Sequence, residues 1–315
     1  MAITPQPIEL TPAGQSRTAG GGGKLHVERD SPLTLAIFLG PAFVLLLVFL
    51  VYPVLYTLRL SLDRGLGGNF TRFVGLDNYV SLLNQPSFVQ AIVNNVLWIV
   101  FYTGFVIFLG LVIAVVAMRV RYEAIIKAIV FIPMAIAATA LAVIWGFVYS
   151  TDPSIGLLNA LLGAVNIGPI SWLGDTTFVN WALIAVGIWG STGFATVILS
   201  AALKSIPAEI LEAARTDGAN ELQIFWRILV PMVSLPISVL AVTLIVNVIK
   251  LFDIPYVMTH GGPGTSSRVI AFEMYIQGFQ SGQFGRAAAV AVVMLLILIP
   301  VMVFNIRRFR SSAVV

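Results

Sequence analysis

The run Phe43-Val44-Leu45-Leu46-Leu47-Val48-Phe49-Leu50 decides the fold class. A membrane barrel strand alternates apolar and polar residues, and no position in this run is polar. The apolar stretch continues in both directions, over residues 33–58. A helix needs about 20 such residues to cross a hydrocarbon layer roughly 30 Å thick, at 1.5 Å per residue. Lipid offers no partner to backbone N–H and C=O groups, so a span of this composition has to be helical. The chain reads as an all-α polytopic membrane protein.

Five further segments pass the same test: 91–118, 124–149, 181–203, 235–258 and 287–306. Lysine and arginine orient the six expected transmembrane helices, because cytoplasmic loops carry the excess of both. One side holds Arg17, Lys24, Arg29, Arg119, Arg121, Lys127, Lys204, Arg215, Arg227, Arg307, Arg308 and Arg310; the alternate loops, leaving aside Arg59 at the rim of the first span and Lys250 within the fifth, hold only Arg64, Arg72, Arg268 and Arg286. Twelve bases against four put both termini in the cytoplasm. The loop 150–180 has no lysine or arginine, which fits the outer face, and Trp172 and Trp181 stand where interfacial aromatics belong.

Composition agrees. The chain is 58% hydrophobic and 10% charged, against about 25% charged in a soluble domain. Its net charge of +4 is spread in short clusters between apolar runs, which speaks against a nucleic-acid partner. The absence of cysteine excludes disulfide and thiolate chemistry. Residues 1–30, with Pro5, Pro7, Pro12 and a glycine run from Gly20 to Gly23, read as a disordered cytoplasmic tail. Residues 31–310 form the transmembrane domain, and 311–315 a short C-terminal tail.

Residues 204–232, between the fourth and fifth spans, form the longest cytoplasmic loop and read as two short helices. Pro207 suits a first helical turn, where its missing N–H costs nothing. Asn220 with Gln223 three residues later makes a capping pair for the second helix. Asp217-Gly218 separates the two with a residue that tolerates positive φ. Ile206, Ile210, Ala213 and Ala214 form one apolar stripe, and Leu222, Phe225, Trp226 and Leu229 another. Glu209, Glu212, Arg215 and Glu221 then face water or a partner. Helices lying on lipid headgroups favour basic polar faces, whereas this loop has four acids against three bases. Two readings stay open here: a headgroup-resting segment, or a surface for docking another protein.

Glu212-Ala213-Ala214, then Gly218, then Ile228-Leu229-Val230-Pro231, resembles the EAA loop of bacterial ABC importer permeases, whose pattern is EAA, G and I-x-L-P at fixed spacing. Val230 departs from the Leu of that pattern. The fuller string from Glu212 through Asp217 to Ala219, with Phe225 and Pro231, is similar to the carbohydrate-importer branch. Phe73-Val74-Gly75-Leu76-Asp77-Asn78-Tyr79, Trp145 with Gly156-Leu157-Leu158-Asn159, and Phe252-Asp253 with Thr259-His260-Gly261-Gly262-Pro263 resemble the first of the two paired permeases in maltose-type and glycerol-phosphate-type importers. The likeness covers roughly residues 33–310. It implies a coupling helix seated in a cleft of an ATPase subunit, with Glu209, Glu212, Ala213, Ala214, Asp217, Gly218, Ala219, Phe225 and Pro231 at the contact. It also implies a second homologous permease, two ATPase subunits and an extracytoplasmic solute-binding protein, the last meeting loops 63–90 and 259–286. The setting is a prokaryotic inner membrane, and the cargo a mono- or oligosaccharide, with a sugar phosphate as the alternative.

Nothing in the chain promises catalysis. A P-loop needs Gly, four residues, then Gly-Lys-Ser/Thr; Gly23-Lys24 is followed by Leu25, and Thr18 stands at the first Gly position. His26 and His260 belong to no metal-like cluster, and no Ser/His/Asp set falls in one expected site. No cofactor is expected here; the resemblance assigns ATP and magnesium to the partner ATPases. Charges within a span cost about 2.5–3.5 kcal/mol each at its centre. Asn247, Lys250 and Asp253 therefore stand out, spaced to share one face of the fifth span. A Lys250–Asp253 ion pair near the outer end and a polar lining for the substrate path both fit. Pro133 and Pro255 would loosen their helices; Gly187, Gly190 and Gly193 would permit close helix approach. Trp145 and Trp189 would stack on a sugar face, or simply pack. An ion-coupled transporter using Asp253 is the rival reading, and a membrane enzyme lacks a catalytic set.

Overall fold

Along the helix Pro86–Ala117 the outward face is apolar and the polar side chains point inward, beside buried Phe88 and Trp98, an inversion of the water-soluble pattern. Val93, Val96, Val100, Phe105 and Phe108 are exposed, whereas Asn94, Asn95 and Thr103 are buried. That inversion is what a lipid solvent selects, since buried polar groups must find protein partners. Asn94 does so by donating to the Ser266 and Arg268 carbonyls, both at 2.7 Å; Asn95 donates to the Val248 carbonyl at 3.1 Å.

The computed structural model describes residues 32–67 and 70–312. The expected tail 1–30 lies outside the described residues. The chain divides into two units, Met1–Tyr52 and Pro53–Val315. In the first, helix Pro32–Leu46 passes into a π turn at Leu47–Val51. The second holds the rest of the helical structure; among the described residues β-pairing is limited to two isolated bridges. Among the described residues four helices are long and apolar enough to cross a membrane: Ile37–Leu60, Pro86–Ala117, Val179–Lys204 and Phe284–Arg308. Two bent pairs raise the count to six if each is one span. The last helix continues to Ser312, into the stretch expected as a tail.

The bent pairs correct the expectation of straight third and fifth spans. Glu123–Ala135 and Ala138–Val148 meet at 98°. Pro133 lies in a 3-10 turn at Ile132–Ala135, where its missing N–H and ring end the α-helix. Glu221–Met232 and Ser234–Ile249 meet at 71°. The expected span 235–258 is also cut: one helix ends at Ile249 and a second runs Asp253–Thr259. The π turns Leu47–Val51 and Phe225–Leu229 each end two residues before a proline, Pro53 and Pro231. Proline crowds the carbonyl four residues back, which belongs to Phe49 and Arg227, inside those widened turns.

Trp98, Leu183, Leu199, Leu240 and Leu244 form the main core, joining the second, fourth and fifth spans; Leu82, Phe88, Ile270 and Val290 form a smaller one. The expected close approaches occur along the fourth span. A Cβ at Gly193 would overlap the Val130 carbonyl oxygen, and one at Gly187 would lie 2.7 Å from the Trp98 ring.

Candidate functional site

Two features carry the polar chemistry, an elbow at residues 204–232 and a cavity where the break at Pro133 meets the one between Ile249 and Asp253. The elbow begins with helix Ala208–Thr216, capped at its start by Pro207, one residue before the first turn. Gly218 follows at φ +84°, a left-handed conformation that side chains with a Cβ resist. Asn220 then caps Glu221–Ile224. Its side chain accepts the Gln223 N–H at 2.8 Å, and the Gln223 side chain accepts the Asn220 N–H at 2.8 Å. This reciprocal box matches the sequence reading.

The faces of the two helices differ from that reading. Ile206, Leu211, Ala214, Ala219, Ile224, Phe225 and Ile228 pack on the main core, while Ile210, Leu222 and Trp226 are exposed. Glu209, Glu212, Ala213, Asp217, Gly218 and Pro231 are also exposed. The outward face of the first helix is therefore mixed, with Glu209 and Glu212 beside Ile210 and Ala213. Glu221 does not face outward alone: it pairs with Arg119 and, at 3.1 Å, with Arg215. All three side chains are about half exposed, so solvent screens the contacts and they serve mainly to position the elbow. Arg119 was not anticipated, because 102 residues separate it from Glu221. Nearby, Glu123 pairs with Lys127 and, at 2.9 Å, with Lys204, tying the third span to the end of the fourth.

Asn247, Lys250 and Asp253 do not share one helical face. Asn247 lies in Ser234–Ile249, Lys250 caps its end, and Asp253 opens the next helix. No ion pair joins Lys250 to Asp253 among the described residues. All three are exposed, and they line one cavity of about 460 Å3. The opposite wall comes from the other break, with Pro133, Ile136 and Ala138, and from Gly187 and Gly190. Non-helical backbone at membrane depth is tolerated where it lines such a cavity. Tyr102, which donates to Ser191 Oγ at 2.8 Å, and Ser191 itself were missed; both line the wall, and their signal was polarity inside apolar runs. Trp145 and Trp189 stand apart from this cavity and pack edge to face on each other, centroids 5.5 Å apart. Among the described residues no group of three or more His, Asp or Glu is placed to hold a metal ion.

Residues 106–308 match the family described as binding-protein-dependent transport system inner membrane component. The osmoprotective compounds uptake permease protein GgtC of Synechocystis sp. is 47% identical over 280 residues, 88% of this chain and 99% of the relative. The alpha-glucoside transport system permease protein AglF of Rhizobium meliloti is 43% identical over 276 residues, 86% of this chain and 81% of the relative. Among solved structures, a bacterial ABC transporter involved in the import of the acidic polysaccharide alginate superposes with a TM-score of 0.72 at 25% identity, over 87% of this chain and 96% of that one. A helical chain with two bent apolar helix pairs, and a polar cavity between the break at Pro133 and the one after Ile249, belongs, on these matches, to the inner membrane permease components of binding-protein-dependent ABC transport systems.

Proposed function

We propose that this chain is one of two permease subunits of a sugar importer, with six spans and both termini in the cytoplasm. A second homologous permease completes the path, two ATPase subunits bind ATP and magnesium, and an extracytoplasmic protein delivers the solute. The single observation that carries the substrate class is the composition of the cavity. It presents one lysine and one carboxylate that are not paired with each other, together with Asn247, Tyr102 and Ser191. That lining has no net charge and several hydrogen-bonding groups, which suits a neutral mono- or oligosaccharide. A sugar phosphate would draw an arginine cluster or a helix N-terminus, and the cavity wall offers Lys250 as its one base. The names of relatives for alpha-glucoside and lactose transport support the same class.

The elbow is the coupling element in this reading. Support comes from its exposed Glu209, Glu212 and Ala213, and from the turn at Gly218 that presents them. A closing ATPase pair would shift the spans between two packings through its differing contacts with this surface; equal contacts would shift nothing. The test is uptake of labelled maltose, trehalose and alpha-glucosides into vesicles holding the assembled transporter and binding protein. Accumulation should require internal ATP and persist with ionophore. Uptake that collapses with ionophore while ATP remains would establish the ion-coupled reading instead.

A further inference from the structure

A groove of about 540 Å3 separates the second span from the second helix of the elbow. Phe108, Val112 and Val116, one helical turn apart, form one wall. Leu222, Phe225 and Trp226 form the other. The groove is open along its length, because Phe108, Val116, Leu222 and Trp226 are all exposed. Arg119 and Glu221 stand at one end. Apolar walls closed by a charged end suit an amphiphile.

Length says which kind. From Phe108 to the helix end at Ala117 the span rises about 14 Å at 1.5 Å per residue, close to half of a hydrocarbon layer roughly 30 Å thick. A crossing helix of another subunit would need a seam through both leaflets. A cytosolic protein could not reach Phe108 without entering lipid. One acyl chain, entering from a single leaflet, fits the groove from end to end.

Charge says which headgroup. Glu221 is shared between Arg119 and Arg215, so one carboxylate serves two guanidinium groups that are both about half exposed. Arg121 and Arg227, next in sequence to Val120 and Trp226 of the groove wall, have no carboxylate within 4.0 Å among the described residues. Glu123 is already taken up by Lys127 and Lys204, and Asp217, across the Gly218 turn, pairs with none of these arginines. The balance at this end of the groove is positive, on the side where leaflet lipids are anionic. A guanidinium also presents five N–H donors, more than one carboxylate uses, and matches phosphate bidentately. We propose that the groove binds an anionic glycerophospholipid of the cytoplasmic leaflet, with one acyl chain between the walls and its phosphate on Arg119 beside or in place of Glu221. The elbow is then seated on membrane lipid as well as on protein. This site presupposes the cytoplasmic orientation given above, and its bearing on coupling presupposes the importer reading.

The whole transporter is placed in phosphatidylcholine nanodiscs carrying a small fraction of phosphatidylglycerol brominated on its acyl chains or, separately, of brominated phosphatidylcholine. Bromine quenches tryptophan fluorescence on contact, and the share due to Trp226 is read by difference from Trp226→Phe. Phosphatidylglycerol should quench that share at a fraction about 5-fold lower than phosphatidylcholine, the attraction of one arginine for an anionic lipid. Arg119→Gln should abolish the preference, and Arg119→Lys should keep most of it. Glu221→Gln, which frees Arg119, should strengthen it. Equal quenching by the two lipids in the unaltered complex overturns the proposal, as does an undiminished preference in Arg119→Gln. Should Arg119→Gln fail to assemble by size-exclusion chromatography, Glu221→Gln decides, and a preference that does not rise overturns the proposal. Absence of Trp226-dependent quenching by either lipid overturns it in favour of a protein cover, such as the second permease. ATP-driven uptake is scored separately in liposomes of the same lipids; its absence in all of them overturns the importer reading and leaves the quenching result standing.

Discussion

Gly218 sits at φ +84° with no atom near the place a Cβ would take, so the penalty for replacing it is purely conformational. A β-branched residue held there costs about 1–3 kcal/mol, enough to reshape the turn. Gly218→Val is expected to leave ATP hydrolysis measurable while uptake falls at least ~10-fold; coupled uptake at the normal rate would end the docking argument. Lys250→Met should change uptake more than yield of the assembled complex, read by transport and purification from the same membranes. Asp63 makes a pH prediction. Burial raises its pKa, but the N–H groups of Thr71, Gly65 and Arg72 outweigh that and leave it below the ordinary carboxylate range. Its stabilisation is full above the unfolded value, about 3.9, and is lost as pH falls through the lower folded one. Thermal stability should therefore drop on acidification less steeply in Asp63→Asn than in the parent, measured by tryptophan fluorescence in detergent. Some of this was legible from residue type alone, as the Asn220–Gln223 box and Gly218 show. Asn78 and Asn159 were visible only as parts of motifs. In the fold each clasps a loop, Asn159 donating to the Ser150 and Ile170 carbonyls at 2.8 and 3.0 Å.

At the scale of elements, length and apolarity located every helix that could cross lipid, but not where two of them break. Leu251 and Phe252 are as apolar as the helix before them, so a hydropathy reading runs through them to Met258. The break is met by tertiary contacts: Phe252 packs edge to face on Phe272 at 5.8 Å and on Tyr275 at 5.3 Å. The elbow's stripes were misassigned for a different reason. Where one face meets protein and the other meets lipid or a partner, both are apolar, and periodicity alone does not say which is inside. Glycine spacing was more informative. Gly193→Leu should separate the third and fourth spans, because its side chain would enter the space of the Val130 and Phe131 backbone. Overpacking of this kind costs about 1–3 kcal/mol or more, and the expected result is a clear loss of assembled complex by size-exclusion chromatography. Undiminished yield would show that the two helices slide apart freely.

For the whole molecule, the bias of lysine and arginine predicts which side each loop occupies, and the absence of cysteine makes the test clean. Val120→Cys and Asp175→Cys should behave oppositely toward an impermeant maleimide on spheroplasts. Asp175→Cys should label at once, and Val120→Cys only after lysis; the reverse pattern would invert the orientation. The broken fifth span has a wider consequence. Ser234–Ile249 has 16 residues, about 24 Å of helix at 1.5 Å each, which falls short of the hydrocarbon thickness. Beyond it, Lys250 and Asp253 lie exposed beside the second break. A chain synthesised alone would carry a hydrated notch into the bilayer, an ill-insulated wall open to water and small ions. Its companion subunit is thus as much a gasket as a second half of the path, and cells making only this polypeptide should clear it by membrane proteolysis before it accumulates.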